Sequence, residues 1–240
     1  MAAKAHEQWT VLPHNPIEEL AENLWLVNGA LPGMSLRRNM LAARLTDGSL
    51  VLHNPIALDD AEMQRLESWG TPALIVVPNG WHRLDAKIFK DRYPNARVIA
   101  PRGARKKVEE VVPVDLTYDE YTSDDPTVRF EPIAGIADQE GALIVRSSDG
   151  ETLILNDVVF NMDRKKDLAG FLFTTVLGSA PGPRVSRLTK LMLVKDRRAL
   201  RADLERFATL ENLVRLSVAH EKVAHGPAAR EALLQAATYL

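Results

Sequence analysis

The sequence contains no cysteine. Disulfides, thiolate metal sites and a cysteine nucleophile are therefore excluded, and any metal has to rest on His, Asp, Glu and water. Long apolar runs are also missing: stretches such as Ala73 to Val77 are far too short to span a bilayer, so no membrane partner is expected. Met1 to Trp9 is mixed in charge and lacks the apolar core of a secretion signal, which makes the cytoplasm the expected location. Neither sign of charge dominates. With 30 Lys and Arg against 32 Asp and Glu, the net charge of -2 argues against nucleic acid as a partner. Two local basic runs, Arg102 to Lys107 and Arg164 to Lys166, read as solvated helix faces or loops. There is no Gly-x-Ser-x-Gly elbow, no Gly-x-x-x-x-Gly-Lys-Ser/Thr and no Gly-x-Gly-x-x-Gly. A serine hydrolase, and nucleotide cofactors bound through those loops, are left without support.

What is present is enough chain, 240 residues at 46% hydrophobic content, to bury one sizeable core. We expect a single domain over 1–240, with 1–20 as an extended N-terminal segment. Leu24 to Val27, Asn39 to Leu45 and Ser49 to His53 read as strands, the last two joined at Asp47-Gly48, because glycine supplies the positive φ of a hairpin turn. A helix follows, capped by Asp59 or Asp60, with Met63, Leu66 and Trp69 on one face and Gly70 at its end. Ala73 to Val77 is a buried strand, Asp85 to Arg92 a helix, and Arg97 to Ala100 a further strand, which implies βαβ units. Three more strands are expected at Thr127 to Ile133, Ala142 to Ser147 and Thr152 to Leu155. Residues 162–183 read as a lid loop whose Phe171, Leu172 and Phe173 cover a site or contact a second copy. From Ser186 the chain is largely helical, apart from a strand at Leu213 to Val218.

The six histidines divide by position. His6 and His14 lie in the N-terminal segment and read as inert. His53, His82, His220 and His225 fall at or after strand ends, where open α/β folds bind ligands, and Asp157 ends another strand.

The stretch Leu74-Ile75-Val76-Val77-Pro78-Asn79-Gly80-Trp81-His82-Arg83-Leu84-Asp85, running on to Tyr93-Pro94-Asn95-Ala96-Arg97-Val98, resembles the centre of the metallo-β-lactamase superfamily. There a buried strand enters a Thr-His-x-His-x-Asp-His loop. Thr152 to Phe160 is similar to the family's later strand, whose terminal Asp bridges two metals, and Leu216 to His220 to its last strand, which ends in a metal-binding His. The order of the three motifs agrees, and the likeness runs from Leu24 to Leu240. It implies an α/β fold of the αββα type, two mixed sheets back to back with helices outside. The departures are as informative. Asn79 and Trp81 stand where the family has its first loop histidines, and Gly135-Ile136-Ala137-Asp138 stands where it has a glycine–histidine pair. The resemblance is thus to a divergent branch with a degenerate metal site.

A catalytic zinc site needs about three protein ligands, and a two-metal site needs more together with a bridging group. His82, Asp157 and His220, with His53 or Asp85 as further candidates, suffice for one Zn, Fe or Mn ion in a site of the two-His-one-carboxylate kind. Asn79 and Trp81 would line the pocket, Trp81 as packing. Three readings stay open: a single-metal hydrolase of a small molecule, a metal-free small-molecule binder, and an interaction protein with a vestigial cleft. A homo-oligomer is compatible with each.

Overall fold

The computed structural model of the chain describes residues 4–122 and 124–240. It begins with four antiparallel strands, β1 (Glu18–Ala21), β2 (Leu24–Leu31), β3 (Met34–Arg44) and β4 (Ser49–His53). Helical crossovers then make the pairing parallel. Helix α1 (Asp60–Trp69) leads to β5 (Thr71–Val76), α2 (Ala86–Arg92) to β6 (Arg97–Ala100), and α3 (Arg105–Val108) to β7 (Leu116–Thr117). These strands form one seven-stranded sheet in sequence order. The second sheet holds β8 (Val128–Pro132), β9 (Gly141–Ser147) and β10 (Gly150–Ile154). After α4 (Leu168–Phe171), α5 (Arg187–Met192) and α6 (Arg197–Phe207) it gains β11 (Leu213–Ser217) and β12 (Ala224–His225), and α7 (Pro227–Ala237) closes the chain. Its order is β12-β11-β10-β9-β8, with only β10 and β11 parallel.

The period of two along each strand divides the core. Leu24, Leu41, Val51, Leu74, Val76 and Ile99 of the first sheet face Leu143, Val145 and Ile154 of the second. Their sequence neighbours, among them Trp25, Met40, Leu52, Ile75 and Val98, point outward onto α1 and α2, with Met63, Leu66, Ile88 and Phe89. On the other side Ile144, Leu153 and Leu216 pack under Leu200, Leu204, Phe207 and Leu233 of α6 and α7. Strands buried on both faces read as continuous apolar runs, which is why the central ones stand out in the sequence. This is the αββα sandwich expected above.

The N-terminal segment is fastened rather than loose. His6 N–H donates to Leu84 O at 2.8 Å, the Trp9 indole donates to Leu58 O at 3.1 Å, and Trp9 packs 5.0 Å from Phe89. His14 Nε2 accepts from Asp59 N at 3.0 Å, so this histidine braces the start of α1, where Asp59 is the cap and accepts from Glu62 N. Gly70, expected as a helix terminator, is fully extended; a Cβ there would meet Gly48 O at 2.4 Å, so it is close approach that requires the glycine. Residues 162–183 are partly helical: α4 runs into a wide turn in which Leu177 N–H reaches back five residues to Leu172 O at 2.9 Å.

Phe89 is fully buried between α2 and the first sheet. Phe89→Ala is expected to cost about 3–5 kcal/mol in urea denaturation, the range for a buried ring removed without collapse of its site; a loss well under 1 kcal/mol would contradict this packing.

Candidate metal centre

Parallel strands end at the same side, and here four such ends meet. His53 closes β4 and Asn54 follows it; Asn79 and His82 lie in the loop after β5; Asp157 follows β10; His220 follows β11. His82 Nε2 lies 3.2 Å from the Asp157 carboxylate and His220 Nε2 lies 3.5 Å from Asp157 Oδ1. All three ligand atoms fall within 4.8 Å of one another. Donors about 2.0–2.2 Å from a tetrahedral ion stand about 3.3–3.6 Å apart, a spacing that the two histidine–Asp157 distances approach.

The hydrogen bonds on the far side of each ring strengthen this fit. His220 Nδ1 lies 2.9 Å from Arg37 O, a group that only accepts, so Nδ1 carries the proton. His82 Nδ1 faces Asn54 Oδ1 at 3.3 Å, and the Asn54 amide is oriented by its own donation from Nδ2 to Asn39 O at 2.8 Å. Asn54 sits at φ +52°, a conformation asparagine tolerates better than most residues. Both rings thereby turn Nε2 toward the Asp157 carboxylate, with their centroids 5.1 Å apart.

Asp157 is fixed from every side. Burial alone would raise its carboxyl, but the charge of His82 and hydrogen bonds from His220 and His82 outweigh burial and hold it well below the ordinary range. Asn79 Nδ2 donates to Asp157 Oδ2 at 2.8 Å, while Asn79 Oδ1 accepts from Trp81 N at 2.9 Å and His82 N at 3.1 Å. Asn79 is therefore a clamp beneath the site, not a wall of the pocket. The Asp157 carbonyl accepts from Thr189 Oγ1 of α5 at 2.8 Å.

Glu140, just before β9, was not singled out from sequence. It is buried and accepts from Asn156 N at 2.7 Å, Asp157 N at 2.8 Å and Val158 N at 3.3 Å. Burial first, then the charge of Asp157, push its carboxyl up to about 8, against those three backbone donors. A glutamate beside a glycine at the start of an apolar strand reads as a surface turn, and nothing in the linear pattern marks it as buried.

The two further ligand candidates do not join the cluster. Asp85 is engaged elsewhere, paired with the buried Arg38, accepting from Ala57 N at 3.2 Å and 2.7 Å from His6 Nδ1. His53 is buried with no hydrogen-bond partner on either ring nitrogen among the described residues; burial, then the charge of His82, lower its pKa to about 3. His225 lies exposed on β12.

Above the cluster opens a cavity of about 560 Å³, a size that suits a small molecule. Asp157, His82 and His220 share its lining with Leu31, Met34 and Leu36 of the β2–β3 hairpin, with Phe160 and Phe173, and with Leu188 and Met192 of α5. Phe160 stacks on the His220 ring at 5.9 Å and Phe173 meets its edge at 6.2 Å. Trp81 stands at the rim, 39% exposed, and leaves the cavity open.

No protein-family model matches the sequence, and no curated protein matches it either. Solved structures do. A metallo-β-lactamase from Pontibacter korlensis superposes with a TM-score of 0.57 at 10% identity, over 93% of this chain and 99% of that one. The DIM-1 metallo-β-lactamase superposes with a TM-score of 0.59 at 14% identity, over 95% of this chain and 98% of the other. A second structure of DIM-1, exposed to ceftazidime, gives 0.59 at 13% identity over 95% and 99%. The chain has the metallo-β-lactamase fold. At such identities the likeness speaks for the fold alone. Within that metallo-β-lactamase fold, the three converging residues come from the three segments whose order carried the resemblance.

Glu140→Gln would place an amide N–H against backbone donors that now share two carboxylate oxygens. A loss of about 1–3 kcal/mol is expected in urea denaturation, the cost of buried polar groups left unpaired; an unchanged midpoint would show that Glu140 does not hold the 156–158 turn.

Proposed function

We propose that this chain is a single-metal hydrolase of uncharged, apolar-bodied esters or thioesters, with His82, Asp157 and His220 as the metal ligands. The observation that carries the reading is the pair of histidines whose Nδ1 atoms are tied to fixed acceptors, turning both Nε2 atoms with Asp157 toward one point on the cavity. Two imidazoles and a carboxylate suit Zn, Fe or Mn. When bound, such an ion supplies Lewis acidity for a carbonyl and lowers the pKa of water at its open position to about 7.

The remaining chemistry belongs to the chain. Asn79 orients the Asp157 carboxylate by donating to Oδ2, with His82 Nε2 3.2 Å from both oxygens and His220 Nε2 3.5 Å from Oδ1. Phe160 and Phe173 exclude bulk water from the His220 side, which strengthens every electrostatic contact made there. Leu31, Met34 and Leu36 offer an apolar wall to the body of a substrate. The only cationic side chain lining the cavity among the described residues, apart from its histidines, is Arg38, and its charge is matched by Asp85. A phosphoester would find no uncompensated cation in the cavity wall, so carboxylic esters and thioesters are favoured. The shared fold does not by itself carry a β-lactam substrate to this chain, because one scaffold hosts many reactions.

Protein purified without chelator is expected to carry about one equivalent of Zn, Fe or Mn, the occupancy of a three-ligand site, and His220→Ala to lose it. Absence of metal from both proteins, with unchanged thermal stability, overturns the hydrolase reading. In the loaded protein, kcat/KM on a series of 4-nitrophenyl esters should rise with acyl length, by up to about tenfold for each two methylenes buried. Equal rates on short and long chains would count against the apolar wall as the binding surface.

A further inference from the structure

The exposed apolar side chains of this protein are not scattered. Of the nine large hydrophobic residues exposed among the described residues, six fall between 168 and 192: Leu168, Phe171, Leu172, Val176, Leu191 and Met192. They sit on α4 with its wide turn and on α5. The two segments are joined: Arg187 N–H donates to Leu177 O at 3.0 Å, and Arg187 Nη1 reaches Val176 O at 3.4 Å. Trp81, also exposed, stands at the rim of the same cavity, whose lining includes Phe173, Leu177, Leu188 and Met192. The apolar surface is therefore continuous with the apolar cavity.

Positive charge is concentrated in the same stretch of chain. Residues 162–201 contain ten Lys and Arg against three Asp and no Glu, a net +7 in a chain whose total is -2. Arg164, Lys166, Arg187, Arg197 and Arg198 are exposed. The field is felt locally: burial first, and then Arg197, Arg184 and Arg187, lower the pKa of Lys190. Exposed apolar side chains carried on segments with an excess of cations are complementary to one kind of surface, an apolar layer beneath anionic headgroups. A second copy of this chain fits poorly, because a two-fold contact sets the same patch against itself and would oppose cation to cation.

We propose that the face formed by residues 164–176 and 187–198 docks on an anionic lipid surface, with Phe171, Leu172 and Leu191 entering the headgroup–acyl boundary and the cavity mouth turned toward the membrane. No helix among the described residues is long and apolar enough to cross a membrane, so this is peripheral docking. It replaces the expectation of no membrane partner, which rested on the lack of a spanning segment. It is also independent of the hydrolase reading, since vesicle binding requires neither metal nor turnover.

The test is co-flotation of the full chain with phosphatidylcholine vesicles, plain or carrying about a third phosphatidylglycerol. Binding to the anionic vesicles only is expected. It should fall at least about tenfold at about 1 M salt, where charges farther apart than about 3 Å are screened. The same loss is expected for Phe171→Ser/Leu172→Ser and for Lys166→Glu/Arg198→Glu, each with unchanged circular dichroism. These residues are exposed and lie outside the cavity and the cluster, so the variants should fold. No binding of the unaltered chain to anionic vesicles overturns the proposal, as does binding that survives both double substitutions. Two further results overturn it: sedimentation equilibrium showing a dimer that Phe171→Ser/Leu172→Ser dissociates, in a chain that ignores lipid, and equally tight retention on poly-glutamate that the serine variant leaves intact. The first would assign the face to a second copy, the second to charge alone and an acidic protein.

Discussion

One buried anion, Asp157, determines how this end of the sandwich is built. A carboxylate removed from water is costly unless its oxygens are bonded and its charge is met. Oδ2 is met by the Asn79 amide, Oδ1 by two imidazoles, and the peptide around it by Glu140 and Thr189. Amide and backbone donors bring partial charge only, and Glu140 is a second acid. Positive charge can therefore come only from the side of the two imidazoles, which is where the proposed ion would stand.

The same demand explains why a second buried ion pair lies close by without taking part. Arg38 and Asp85 neutralise each other, with Ala57 N and His6 adding donors to Asp85. Because the charges of Arg38 and Asp85 are matched, neither is offered to the cavity, which keeps an apolar character up to its polar floor. Glu221, at φ +63° just after His220, performs a similar local service. Its carboxylate accepts from Arg37 N at 3.0 Å and pairs with Lys165 at 2.8 Å, tying the strand that holds His220 in orientation to the segment that forms the cavity rim.

Much of the architecture was legible because periodicity and burial are written in residue type. The runs at Ala73 to Val77 and Ala142 to Ser147, and the turn at Asp47-Gly48, are read directly from apolar stretches and glycine. Positions at strand ends are legible too, and His53, His82, Asp157, His220 and His225 all fall there; the resemblance to the family's motifs is what singles out His82, Asp157 and His220. Partnership was not. Arg37 and Arg38 are adjacent on a strand, and nothing in the pair says that Arg38 faces inward and takes up Asp85. Glu140 is hidden for the same reason, since its partners are backbone N–H groups, which leave no trace in side-chain identity. The hold of His6 and Trp9 on the body is likewise a matter of three-dimensional neighbours, as are the two-residue strands β7 and β12, which pair only because longer strands precede them.

Under the single-ion reading proposed above, Asn79 sets the arrangement around Asp157. The Asn79 amide donates to Asp157 and stands 3.5 Å from Glu140, while its oxygen closes the turn that presents His82. A histidine there would bring one ring nitrogen toward two carboxylates and would leave the Trp81 and His82 N–H groups without their acceptor. A second cation beside Asp157 would then need new ligands as well as a new side chain at 79, because Gly135 to Asp138 brings no histidine to that side. Asn79, Glu140 and the 156–158 turn are thus joined by hydrogen bonds into one arrangement beside Asp157, and under the proposed reading the two Nε2 atoms are left to hold a single ion with it.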